Sequence, residues 1–209
     1  MLQFITNGTS SVSLESQVKG VLDGGCKWIQ LRMKDAEELD MRKAVEKIQP
    51  LCKEYDAFCV LNDNVALAKE LNLDGVHVGK SDMPPLQARN MLGAEPMLGV
   101  TVNTIADIVA VSSLDIDYFG VGPYRFTQTK ENLAPILDIT GYKNIIAEMN
   151  RIGIEIPIVA VGGITIDDVD ILMDAGVNGI AVSSDIVNSS SIEKKTKEYI
   201  DRLSRYRKV

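Results

Sequence analysis

A single histidine, His77, serves the whole chain, so a Ser-His-Asp or Cys-His arrangement has only one imidazole to draw on. It falls inside a predicted strand, Gly75-Val-His-Val-Gly79, where it either projects into a barrel lumen or is a hydrogen-bonded core histidine. The core reading is preferred, and it takes the imidazole out of nucleophilic schemes. Cysteine is scarce as well. Cys26, Cys52 and Cys59 are odd in number, form no C-x-x-C pair and lie in or beside apolar runs, which argues against a disulfide framework or a zinc knuckle. Reduced, buried thiols in a cytoplasmic protein are the expectation. No apolar run approaches the roughly 18 residues of a membrane span, and Met1-Leu-Gln-Phe-Ile-Thr6 lacks the basic start of an export signal. Positive charge is in deficit: 22 Lys and Arg stand against 29 Asp and Glu, a net charge of −7 with a pI near 4.8. Nucleic-acid and membrane partners are therefore not expected, and any bound anion must meet a local cluster of bases.

What is present is an alternation. The 209 residues are 45% hydrophobic, enough for one sizeable core and close to the lower limit of about 200 residues for an eight-stranded α/β barrel. Short runs rich in Val, Ile and Phe alternate with longer amphipathic stretches. Strands are predicted at Gln3–Thr6, Trp28–Leu31, Phe58–Leu61, Gly75–Val78, Met97–Thr101, Tyr118–Val121, Ile158–Val161 and Gly179–Val182. Between them, Met41, Ala44, Val45 and Ile48 recur at helical spacing, as do Val169, Leu172 and Met173 after a cap-like Thr165. Gly24, Gly93, Gly153 and Gly176 stand where helices should stop. The G-x-G-x-x-G turn of an open doubly wound sheet is absent after the first strand, and no linker divides the chain. The expected fold is α/β, a single-domain (β/α)8 TIM barrel over residues 1–209.

In such a barrel the site forms from loops at the carboxyl ends of the strands. After the second strand, alternation places Gln30, Arg32 and Lys34 on one side, a cationic ladder suited to a diphosphate; two solvated bases at a strand end are the alternative. Asn62-Asp63-Asn64 and Lys80-Ser-Asp82 follow the third and fourth strands, so Asp63 and Asp82 can share one hard cation. Mg²⁺ suits them because it takes few protein carboxylates and completes its shell with water and phosphate oxygens. The same residue types also suit helix caps and turns. Gly122-Pro-Tyr-Arg-Phe-Thr-Gln-Thr-Lys130 follows the sixth strand, with Arg125 and Lys130 offering charge and Thr127 and Thr129 offering donors to a phosphate. Val161-Gly-Gly-Ile-Thr165 and Ser183-Ser-Asp185 open helices after the last two strands, where barrel phosphate sites commonly form; a tight turn and a cap are the alternatives. Two anion sites and a cation imply a reaction between two phosphorylated small molecules. One is a diphosphate, a good leaving group that needs clamping more than a strong acid or base.

Taken together, Gln30-Leu-Arg-Met-Lys34, Asn62-Asp63, Asp74-Gly-Val-His-Val-Gly79 with Asp82, Gly99-Val-Thr101, Asp117-Tyr-Phe-Gly-Val-Gly-Pro123, Thr127-Gln-Thr-Lys130, Ala160-Val-Gly-Gly-Ile164 and Val182-Ser183 resemble thiamine-phosphate synthase in order and in kind. The resemblance implies Mg²⁺ and two substrates, a hydroxymethylpyrimidine diphosphate and a hydroxyethylthiazole phosphate. They would be joined dissociatively through a pyrimidine-stabilised methylene cation. By the same resemblance, Gln30, Arg32, Lys34 and Asn62 meet the diphosphate and pyrimidine, Asp63 and Asp82 hold Mg²⁺, and Thr101 stands where serine is common. Thr127, Thr129 and Lys130 meet both phosphate groups. Gly163, Val182 and Ser183, with Ser184 beside them, cradle the thiazole phosphate. Lys34, Thr101 and Lys130 are the residues it implies for the chemistry. Tyr124-Arg-Phe126 and Ser184 depart from the family pattern. A thiazole tautomerase of the same superfamily and a non-catalytic precursor sensor are the competing expectations.

Overall fold

The computed structural model describes residues 1–126 and 135–206. Its strands are β1 Leu2–Ile5, β2 Trp28–Leu31, β3 Phe58–Asn62, β4 Gly75–Val78, β5 Met97–Val102, β6 Tyr118–Val121, β7 Ile158–Val161 and β8 Gly179–Val182. The helices are α1 Leu14–Asp23, α2 Glu38–Glu54, α3 Val65–Glu70, α4 Pro85–Leu92, α5 Ile105–Val111, α6 Asp138–Ile152, α7 Val169–Asp174, α8 Ser184–Val187 and α9 Ile192–Ser204. All strands are parallel and pair in sequence order, and β8 closes on β1 through Leu2↔Ile180, Gln3↔Ala181 and Phe4↔Val182. The result is the expected (β/α)8 barrel. The first strand begins and ends one residue earlier than predicted, and Thr6 falls just beyond it. No helix of the described residues is long and apolar enough to cross a membrane.

Local chemistry fixes the helix ends. Ser13 caps α1 by accepting from the Ser16 N–H, and Thr104 with Asp107 forms a reciprocal capping box at α5. Gly153 ends α6 at φ 75°, a left-handed conformation that favours glycine. Val45, Ile48 and Cys52 give α2 its buried face, although Pro50 inside it forgoes one backbone hydrogen bond.

Strand alternation sorts the core into two layers. Phe4, Ile29, Leu31, Leu61, Val76, Leu98, Phe119 and Ile180 point outward and pack under the helices, each essentially inaccessible to water. Burying such a side chain is worth about 1.5–3 kcal/mol. Inside the barrel a smaller cluster of Trp28, Val60, Tyr118, Val159 and Ala181 fills the lumen. Room for the Tyr118 ring comes from Gly99, where a Cβ would overlap it; a Cβ at Gly120 would stand 2.8 Å from His77 Cε1. All three cysteines are free and buried.

Candidate functional site

The carboxyl ends of the strands surround a cleft of about 1720 Å³ that narrows into a cavity of about 40 Å³ in the barrel mouth. Its walls differ in character. Arg32, Lys34, Asn62, Asp63, Asp82 and Thr101 line the side built by β2 to β5, and Gly163, Val182, Ser183 and Ser184 line the side built by β7 and β8. In the small cavity, Gln30, Asn62, His77 and Thr101 form a polar arc against an apolar arc of Ile5, Val159, Val161 and Ala181. Thr127, Thr129 and Lys130 lie outside the described residues.

The polar wall is held from behind. Thr6 Oγ1 accepts from the Arg32 N–H at 2.8 Å and donates to the Arg32 carbonyl at 3.1 Å, so a hydroxyl beyond β1 orients the chain after β2. Asn64, not Asp63, caps α3 by accepting from the Leu67 N–H at 3.0 Å. Asp63 stands at φ 70° with its N–H donated to the His77 carbonyl at 2.8 Å, which leaves its carboxylate to the cleft. Asp82 Oδ2 accepts from the Gly79 N–H at 2.7 Å. Burial pushes the Asp63 carboxyl up to about 7, the hydrogen bond and charge of Asp82 add to the rise, and Arg32 partly opposes it.

Two carboxylates contending for one small volume are what a shared cation relieves. Asp63 and Asp82 therefore fit Mg²⁺: both are hard oxygen donors, and among the described residues no third acidic, His or Cys side chain joins them. That matches an ion that keeps water and substrate oxygens in its shell. Lys80, on the same loop as Asp82, is committed to Asp107 at 2.7 Å.

Opposite, the loops after β6 and β7 are laced together. Tyr124 N–H donates to Val161 and Arg125 N–H to Gly162, each at 3.0 Å. Gly162 and Gly163 hold φ 102° and 67°, and a Cβ on Gly162 would stand 2.8 Å from Pro123 Cα. Arg125 does not supply charge to the cleft as its place in the loop suggested. Its guanidinium grips both Asp168 oxygens at 2.5 Å, and Asp168 Oδ2 also accepts from the Thr165 N–H and hydroxyl at 2.9 Å. Tyr124 is buried edge-on to Tyr142, with the Arg125 guanidinium over its ring, while Phe126 is exposed. The departure Tyr124-Arg-Phe126 thus becomes a loop-to-loop brace. Ser183 Oγ is buried with no hydrogen-bond partner among the described residues.

Sequence reasoning did not single out Asn7, Thr9 and Ser10, which add a third wall after β1. The polar run Asn7-Gly-Thr-Ser-Ser11 was the available signal. His77 satisfies both readings: it is buried, hydrogen-bonded at both ring nitrogens, and lines the cavity.

Comparison with known proteins agrees across nearly the whole chain. A family model described as thiamine monophosphate synthase matches residues 2–186. A thiamine-phosphate synthase of Bacteroides fragilis is 46% identical over 200 residues, covering 96% of this chain and 98% of the relative. One of Flavobacterium johnsoniae is 46% identical over 197 residues, covering 93% and 91%. The solved thiamine phosphate pyrophosphorylase of Pyrococcus furiosus superposes with a TM-score of 0.86 at 27% identity, covering 98% of this chain and 96% of that one. An orotidine 5'-phosphate decarboxylase of Pyrococcus horikoshii, 14% identical with a TM-score of 0.71, shares the fold alone. On the matching family model and on relatives that align over almost their full length, the chain belongs to the thiamine monophosphate synthase family.

Proposed function

We propose that this enzyme transfers the pyrimidinylmethyl group of a hydroxymethylpyrimidine diphosphate to the ring nitrogen of a hydroxyethylthiazole phosphate, releasing diphosphate. The observation that carries the reading is the Asp63–Asp82 pair beside Arg32, opposite the glycine turn and Ser183. A tautomerase needs neither the carboxylate pair nor a diphosphate clamp.

Gln30, Arg32, Lys34 and Asn62 hold the diphosphate and the pyrimidine. Asp63 and Asp82 would hold Mg²⁺, whose contribution when bound is to neutralise diphosphate charge. Gly163, Val182, Ser183 and Ser184 cradle the thiazole phosphate, the glycine allowing backbone N–H groups to approach it. With both substrates so held, the C–O bond breaks and diphosphate leaves with the electron pair. The aminopyrimidine delocalises the methylene cation until the thiazole nitrogen donates its lone pair to that carbon. Lys34 and Lys130 stabilise the departing charge, and Thr101 orients the pyrimidine. Positioning and electrostatics suffice, in keeping with a site whose one imidazole is hydrogen-bonded at both ring nitrogens. The buried free thiols favour a cytoplasmic setting.

The test is diphosphate release by the purified protein from both substrates, with and without Mg²⁺, following the joined product by mass spectrometry. Metal-dependent thiamine phosphate with matching diphosphate release is expected. Binding of the thiazole phosphate without product would overturn the assignment.

A further inference from the structure

Beneath the site lies a hydrogen-bonded chain inside the barrel, and the donor beside Tyr118 points to its direction. The Tyr118 oxygen accepts from Gln3 Nε2 at 3.0 Å. That amide is a donor and cannot take the phenol's single proton, which is left to give to another acceptor. His77 Nδ1 stands 3.0 Å from that oxygen. If Tyr118 donates to Nδ1, the neutral ring carries its hydrogen on Nε2, and Nε2 is 2.8 Å from Thr101 Oγ1. The Thr101 oxygen then accepts from the imidazole, and its own proton is turned away from the ring. Thr101 and His77 both line the cleft and the cavity below it.

The chain is held tightly in place. Trp28 packs edge-on to Tyr118 with ring centroids 4.7 Å apart and an interplanar angle of 79°. Gly99 admits the phenol and Gly120 admits the imidazole, since a Cβ at either position would displace the ring. Burial pushes the Tyr118 phenol above its ordinary value, so it keeps the proton it donates.

We propose that His77 is a positioning residue, held as the Nε2–H tautomer by the Tyr118 hydroxyl, so that Thr101 presents its hydroxyl proton to an acceptor atom of the bound pyrimidine diphosphate. The inference rests on the reading of Thr101 as a substrate contact. It makes Thr101 a hydrogen-bond donor toward the substrate and gives a role to Gln3 and Tyr118, which lie below the cleft.

One histidine in the chain makes the test direct. Protein carrying ¹⁵N-labelled histidine gives one imidazole in the NMR spectrum, and a protonated Nε2 beside an unprotonated Nδ1 is expected. An Nδ1–H tautomer, or an imidazolium at neutral pH, would overturn the proposal. Tyr118→Phe keeps the ring and deletes the donor: a mixture of tautomers is expected, with kcat lower by about tenfold and KM for the thiazole phosphate unchanged. An unchanged tautomer or an unchanged kcat in that variant overturns the relay. If the variant does not fold, the unmutated spectrum still decides. Because the tautomer is read without turnover, failure of the relay is distinguishable from failure of the assigned reaction.

Discussion

Asp168 joins two loops of the site, and removing it tests how the wall proposed for the thiazole phosphate is held. Its side chain is 5% exposed, against 50% for Arg125, and it accepts two hydrogen bonds from that guanidinium and two from Thr165. Loss of the Thr165 cap is worth about 1 kcal/mol. The ion pair adds no more than about 1 kcal/mol, because half of it is in water. Asp168→Ala should therefore cost about 2 kcal/mol, or a melting point lower by about 4–8 °C in a chain of this size. Arg125→Ala made on top of Asp168→Ala should add only the small loss of its contact with the Tyr124 ring, since the guanidinium has already lost its ion-pair partner. Burial alone would raise the Asp168 carboxyl, but the Arg125 fork and the Thr165 donors outweigh it and hold the group below its ordinary 3.8. The stability it contributes is thus present above the unfolded value of 3.8 and is lost as pH falls through the lower folded value. The gap between wild type and variant should close under acid. Calorimetric melts at neutral and acidic pH, with initial rates against each substrate, provide the assay. KM for the thiazole phosphate should rise while KM for the pyrimidine diphosphate holds. Equal melting points at neutral pH, or additive losses in the double variant, would refute the reasoning.

Asp63→Ala or Asp82→Ala should abolish Mg²⁺-dependent turnover and leave the fold intact, because both lie in loops; unchanged activity in both would sink the metal assignment. Lys130→Ala should lower kcat by more than it weakens thiazole-phosphate binding, as expected for a group acting on developing charge, and steady-state kinetics beside a binding titration would separate the two. Gly99→Ala forces a methyl against the Tyr118 ring and should cost about 1–3 kcal/mol, read from denaturant midpoints. An undisturbed midpoint would mean that the lumen has slack the packing does not show.

The strands were legible because each is a short apolar run that alternates with helical spacing, and β2, β4, β6, β7 and β8 have the predicted bounds. The site was legible as loops, since polar residues directly after an apolar run must surface at one end of a barrel. Partner choice within those loops was not. Nothing local says that Arg125 turns to Asp168, 43 positions away, rather than to a ligand. Asp63 and Asn64 are both good caps by composition, and only the left-handed backbone at Asp63 gives the cap to its neighbour. Tyr118 read as one more apolar residue of β6. Its place in the lumen depends on Gly99, a strand away, which local pattern does not pair with it.

The barrel mouth is polar along the arc from β2 to β5 and apolar along Ile5, Val161 and Ala181. The two characters are therefore written on separate strands, which makes them separately alterable. A mutational library confined to Ile5, Val161 and Ala181 would reshape the small cavity while its polar arc stays as inherited. In this sense the rim is modular, with its shape and its polarity carried by different strands.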